Sequence, residues 1–278
     1  DTSIHQFTVG DLKLTMLSDG HMPIPSMVFP NVDDDRFQAS LTSNGLEAGA
    51  YPSAINAFVI EVGGEVHLVD AGGAGMADTL GQIPANLAAA GYTPEQVKSL
   101  IITHMHPDHI GCAVADGAPA FPNAEMVVTA ANHGFWASMD IRNGAPEDAQ
   151  PFFDMARGVA EVYADRTKLI NPGDDVLPGV TSVDLAGHTP GHIGLMLSSN
   201  SEELLIWSDI VHMQYLQFED PNVTIAFDID PDAAVATRKR VMDQVATDGL
   251  RIAGMHLQHP GLGIVEKAGS GYRFTAGA

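Results

Sequence analysis

The chain has 278 residues, enough to bury a sizeable core in one large domain, and that is the organisation we expect for residues 1–278. Its net charge of −22, from 35 acidic against 13 basic side chains, repels phosphate backbones and anionic lipid, which argues against a nucleic-acid partner. No run approaches the ~20 apolar residues of a membrane span, and the single cysteine, Cys112, excludes an intrachain disulfide framework. A soluble protein is expected, with cytoplasm, periplasm and secretion all open, because Asp1 fits a removed leader as well as a different boundary.

In chain order, "HQFTVGDLKLTMLSDG" alternates apolar and polar residues on either side of Gly10-Asp11, as two strands of a hairpin would. Residues 21–52 carry prolines and glycines without sustained periodicity and read as a long loop of the kind that shapes binding sites. "AINAFVIEVGGEVHLVDAGG" reads as a second hairpin about Gly63-Gly64 that ends at Asp70 in a glycine-rich loop. Ala77 to Ala90 predicts a helix stopped by Gly91, and "KSLIITH" a buried strand.

A strand at "AEMVVT" is followed by a helix from about Ala130 and another across "FFDMARGVAEVYA". Strands follow at "VTSVDLAGH", "IGLMLSS" and "ELLIWSD", a helix after Pro231, and strands at "LRIAGMH" and "GIVEKAGSGYRF". Strands and helices recur in both halves, so the fold class is α/β, with sheets covered by helices.

The stretch "THMHPDHIGC" at 103–112 places three histidines and an aspartate within six positions, directly after a buried strand. Buried imidazoles need partners for their ring nitrogens, and a divalent cation satisfies several at once. His104, His106, Asp108 and His109 are therefore candidate metal ligands. His188 in "LAGHTPGH", Asp209 in "LLIWSDI" and His256 in "IAGMHLQHPG" also follow predicted strands, where they can converge on one sheet edge. Five histidines and two carboxylates suffice for about two coordination spheres when a bridging oxygen is added.

HxHxDH followed by a single His, an Asp and a last His, together with the "VDAGG" loop, resembles the metallo-β-lactamase superfamily of binuclear metallohydrolases. "ITHMHPDHIGC", "AFPNAE", "HTPGH", "QFEDPNVT", "MHLQHPGLG" and "GYRF" resemble its methyl parathion hydrolase and aryl-lactonase (dihydrocoumarin hydrolase-like) branch, from the first hairpin almost to the C-terminus. The resemblance implies a four-layer αβ/βα sandwich with two divalent metal ions, zinc foremost, at one edge. His104, His106 and His188 would hold one ion, Asp108, His109 and His256 the other, with Asp209 between them and Asp70 supporting from behind. His259 competes with His256, and the branch carries an aromatic at its place. His192 is expected to be a loop or supporting residue, and Cys112, where relatives have glycine, a packed one.

The implied chemistry is attack by a bridging hydroxide on a carbonyl of a lactone or aryl ester, with phosphotriesters as a side activity. Asp108 would carry the proton to the leaving group. His212 stands where acyl-homoserine lactonases have a substrate-touching tyrosine, so it is a candidate catalytic residue or a lining one. Met76, Trp136, Phe153 and Phe227 would line the substrate pocket with His212. The alternatives are organophosphate hydrolysis as the main activity, or quorum-quenching hydrolysis of acyl-homoserine lactones. "GxSxG" is absent, against a serine esterase. The partner is then a small-molecule ester or lactone, with no nucleic acid and no membrane, and relatives dimerise, so a homodimer is part of the expectation.

Overall fold

The computed structural model describes residues 2–277. Its first sheet takes seven strands in chain order: β1 (Ile4–Val9), β2 (Leu12–Ile24), β3 (Tyr51–Val62), β4 (Glu65–Val69), β5 (Val97–Ile101), β6 (Glu125–Thr129) and β7 (Thr167–Ile170). The two hairpins pair antiparallel about Gly10-Asp11 and Gly63-Gly64, while β4 to β7 run parallel. The second sheet is also in chain order: β8 (Asp175–Leu177), β9 (Val180–Asp184), β10 (Ile193–Ser199), β11 (Glu202–Ile206), β12 (Arg251–Ala253), β13 (Leu262–Ala268) and β14 (Gly271–Ala276). Only β11 and β12 are parallel there.

Leu14, Met16, Phe58 and Ile60 of one sheet meet Leu195, Leu197, Leu204 and Ile206 of the other, so apolar alternation on both inner faces makes the central core. Outside the first sheet lie α2 (Ile83–Ala89), α4 (Ala130–Trp136) and α6 (Gln150–Val162), which bury Leu87, Trp136, Phe153 and Val159. Outside the second lies α8 (Pro231–Asp248), burying Val241, Met242 and Val245. Asp230 caps it by accepting from Ala233 N at 3.0 Å, Pro231 opens it, and left-handed Gly249 closes it. The result is the αβ/βα sandwich that the motifs imply.

The loop expected at 21–52 is more ordered than its composition suggests. Strand β2 runs on to Ile24, and α1 (Asp34–Ser43) follows, capped by Asp33 on Arg36 N at 2.7 Å. Its large apolar residues, Phe37 and Leu41, are only one turn apart, too little periodicity to read, yet both are buried beside Ile24, Phe29 and Leu216. The helix predicted over 77–90 is also corrected, since it begins only at Ile83. A register shift between Ser18 and Gly20 leaves Asp19 out of the ladder, and its carboxylate accepts from Gly73, Gly81 and Ile83 N–H at 2.8–3.0 Å. Those bonds hold 73–82 in turns.

Candidate metal centre

The carboxyl ends of β4, β5, β11 and β12 open on one edge, and each delivers a polar residue just beyond its last paired position. Asp70 follows β4, His104 follows β5, Asp209 follows β11 and His256 follows β12. The short helix α3 (Pro107–Ile110) raises Asp108 and His109, and His188 comes from the loop after β9. Asn132 clamps two of these segments together: its Oδ1 accepts from Met105 N at 2.9 Å, while its Nδ2 donates to Thr189 Oγ1 and Pro190 O.

The structure brings all seven predicted ligands together. His104, His106, His188 and Asp209 offer four ligand atoms within 4.8 Å of one another, and Asp108, His109 and His256 form a second such group. His106 Nδ1 lies 3.0 Å from both His104 Nε2 and His188 Nε2, and Asp209 Oδ2 lies 3.3 Å from His188 Nε2 and 3.5 Å from His104 Nε2. Ligands about 2.1 Å from a tetrahedral ion stand roughly 3.4 Å apart, so this spacing suits a cation. A shared proton can satisfy one nitrogen pair, but not three nitrogens and a carboxylate.

On the other side, Asp209 Oδ1 is 3.2 Å from His109 Nε2, while Asp108 Oδ2 is 3.6 Å from both His109 Nε2 and His256 Nε2. His109 Nε2 is buried with no hydrogen-bond partner, as a nitrogen aimed at an ion would be. The outer ring nitrogens of His109, His188 and His256 are occupied. His109 Nδ1 meets Asp70 Oδ2 at 2.7 Å, His188 Nδ1 meets Asp228 Oδ1 at 2.8 Å, and His256 Nδ1 meets Ala54 O at 2.9 Å. Such contacts fix the tautomer and turn the free lone pair inward.

Burial holds His104 and His106 well below the ordinary histidine range, so both are neutral and keep a lone pair for a cation. At His188 burial is outweighed by Asp209 and Asp228, which push it up to about 9. Burial likewise opposes ionisation of Asp209, but His109, His256 and His104 hold its carboxyl well below the usual range. This edge therefore concentrates negative charge among imidazoles, an environment that a divalent cation balances.

A family model described as the metallo-beta-lactamase superfamily matches residues 50–256. The chain belongs to this superfamily. An N-acyl homoserine lactonase of Bacillus thuringiensis is 27% identical over 160 residues, 57% of this chain and 55% of the lactonase. The chain thus aligns with little more than half the length of that curated relative. Among solved structures, AidC, a dizinc quorum-quenching lactonase, superposes with a TM-score of 0.93 at 24% identity, covering 99% of this chain and 98% of its own. A hydrolase of the same superfamily, AbOPH, gives 0.90 at 32% identity, covering 98% of this chain and 96% of its own.

Above this superfamily member's polar edge lies a small cleft, open to solvent on one side, with apolar walls that include Met22, Ile24, Met76, Phe152 and Phe227. His212 lines it too, its Nε2 3.2 Å from Asp209 Oδ2 but without hydrogen-bond alignment. Trp136 and Phe153, expected in the lining, are not there. They pack on each other at 4.6 Å in the core, with Trp136 edge-on beneath His106. The lining residue from α6 is Phe152, one position and about 100° round the helix from Phe153.

His192 is a supporting residue, with Nδ1 on Leu185 O at 2.9 Å and Nε2 facing Asp209 N at 3.4 Å. His259 is exposed and meets His5 edge-on, away from the cluster. Cys112 packs beside Asp19. Asp19, Asn132 and Asp228 were not legible in advance, because a lone polar residue shows its role only through a partner distant in sequence.

Proposed function

We propose that the chain is one catalytic domain that hydrolyses lactones with two divalent ions, most suitably zinc, although imidazole and carboxylate also suit manganese, cobalt and iron. The observation that carries this reading is a cage of imidazoles and carboxylates forming the floor of a cavity with apolar walls. The curated relatives and AidC, all described as lactonases, support the substrate class. One ion would be held by His104, His106 and His188, the other by Asp108, His109 and His256, with the Asp209 carboxylate between the two groups. Bound there, the pair supplies Lewis acidity toward a carbonyl and brings the pKa of water near neutrality.

The chain's own groups then divide the remaining work. Met22, Ile24 and Met76 exclude water and hold the acyl part, while Phe152 and Phe227, 6.5 Å apart, suit a flat or branched tail. Asp108 is the most accessible carboxylate of the cage, so its Oδ2 is placed to hold the proton that the leaving oxygen needs. Burial pushes His212 down to about 4 despite nearby Asp209, so at neutral pH it donates a hydrogen bond rather than a full proton. That suits contact with the substrate carbonyl.

Aryl esters and organophosphates form the second reading, favoured by the same two aromatic rings. The test is metal analysis of protein purified without added metal, with kcat/KM for an acyl-homoserine lactone, dihydrocoumarin and methyl parathion on one preparation. Two ions per chain and preference for a lactone are expected. Full turnover after thorough chelation would refute the proposal, and light scattering on the same sample reads whether the chain forms a homodimer.

A further inference from the structure

Five described residues other than glycine have a positive φ: Asp70 (60°), Asp116 (51°), Asn200 (49°), Ser201 (64°) and Ser208 (49°). Asp116, Asn200 and Ser201 are exposed between short paired strands, where turn geometry accounts for them. Asp70 and Ser208 are fully buried, and a residue with a Cβ keeps that backbone only where its surroundings enforce it. These two are joined by one hydrogen-bonded path.

Thr103 Oγ1 donates to Asp70 Oδ2 at 2.7 Å and lies 2.8 Å from Ser208 Oγ, which lies 3.2 Å from Asp209 Oδ1. His109 closes the path into a ring, with Nδ1 on Asp70 Oδ2 and Nε2 facing Asp209 Oδ1. Thr103 Oγ1 also lies 3.2 Å from His104 Nδ1, so the two hydroxyls take part in four contacts, and that one is made by the ring N–H when Nε2 faces an ion. Thr103 gives its proton to the Asp70 carboxylate, so the Ser208 proton divides between Thr103 and Asp209. A glycine would adopt this φ without strain, so what the position gains from serine is the hydroxyl.

We infer that Ser208 is a positioning residue whose hydroxyl, backed by Thr103, aims Oδ1 of Asp209 at the half-site of Asp108, His109 and His256. The inference rests on the binuclear reading and extends it: Oδ2 faces His104 and His188 and also lies 3.0 Å from His256 Nε2, while Oδ1 is the oxygen that faces His109, so the Ser208 contact fixes the carboxylate's rotation and with it the second ion's place. Ser208 thus trades local strain for the geometry of the second site.

Cobalt(II) titration of the metal-free protein, followed by visible absorption, reads each site without turnover. The parent is expected to take up two ions. Ser208→Gly is expected to bind the first ion as the parent does and the second about tenfold more weakly, the lower end for outer contacts to metal ligands. Its metal-free melting temperature is expected at or above the parent's, because glycine removes the strain. Ser208→Ala keeps the strain and drops the hydroxyl, so it should lose on both counts. Thr103→Ser should bind both ions like the parent, and Thr103→Val should weaken the second and, through the lost contact to His104 Nδ1, the first as well.

A Ser208→Gly protein that binds both ions with the parent's affinities, or melts below it, would overturn the inference. So would a Thr103→Val protein that binds like the parent. A parent that takes up fewer than two ions would instead overturn the binuclear reading and this inference with it, a result distinguishable from the others.

Discussion

The candidate cage and the cavity wall above it adjoin but are built by different rules. In the cage, His104, His109, His188 and His256 each have an outer ring nitrogen within reach of Thr103, Asp70, Asp228 or Ala54. In the wall, Met22, Ile24, Met76, Phe152 and Phe227 come from a strand end, a loop and a helix and present only apolar surface. Directional bonds tolerate little displacement, whereas apolar contact tolerates changes of shape at constant volume. Under the proposed function, substrate preference would change in the wall while the chemistry below stays fixed.

The strongest way to break this comparison is to remove a cage imidazole. His256→Ala is expected to lose one of two ions and to bring turnover of every substrate down together, close to background, as read by metal analysis beside kcat for several esters. A variant that kept kcat for one class would show that wall and cage are not separable. Asp228→Asn leaves the inward face of His188 intact and removes the charge behind it, together with the acceptor for Ile225 N–H. Chelator competition should show metal affinity reduced by about 10- to 100-fold, with the ranking of substrates unchanged.

Adjacent phenylalanines sharpen the other side. Phe153 is buried among Trp136 and Phe135, so Phe153→Ala should destabilise the protein by about 3–5 kcal/mol in chemical denaturation. Phe152→Ala should lower stability far less and change KM by several-fold, differently for a long acyl chain and a flat aryl ester. Equal destabilisation by both would place Phe152 in the core and leave Phe227 as the aromatic ring of the wall.

This pair also shows what the sequence made legible. Cage candidates announce themselves, because closely spaced histidines and an aspartate after a buried strand have few uses other than ion binding, and the strand ends that carry the distant ones are readable from apolar runs. Both hairpins were legible for a similar reason, each having a turn pair between alternating segments. A wall residue carries no such mark. Phe152 and Phe153 are the same residue type on the same helix, and only the packing of Trp136 decides which one faces the cavity. Helix α1 was hidden because two apolar residues one turn apart do not make a periodic signal, and Asp19 because its partners lie 54–64 positions away.

The smallest effect is expected at His259, which sequence alone leaves as a rival to His256. Beyond His256 the chain turns back, with Gly261 N on Gln258 O at 2.9 Å and Gly254 N on Gly261 O at 3.0 Å, which carries His259 to the surface beside His5. His259→Ala should leave metal content and kcat at the parent's values. Its one expected signature is in acid. Burial, and then the neighbouring His259, hold His5 below its ordinary pKa, so the folded state disfavours the charged form. The associated stability is complete above the ordinary histidine pKa of about 6.5 and is lost as pH falls through it toward the lowered value. Replacing His259 removes part of that opposition, so the variant should lose slightly less melting temperature than the parent between neutral and mildly acid pH. Loss of a metal ion from this variant would instead assign the last ligand to His259 and redraw the cage.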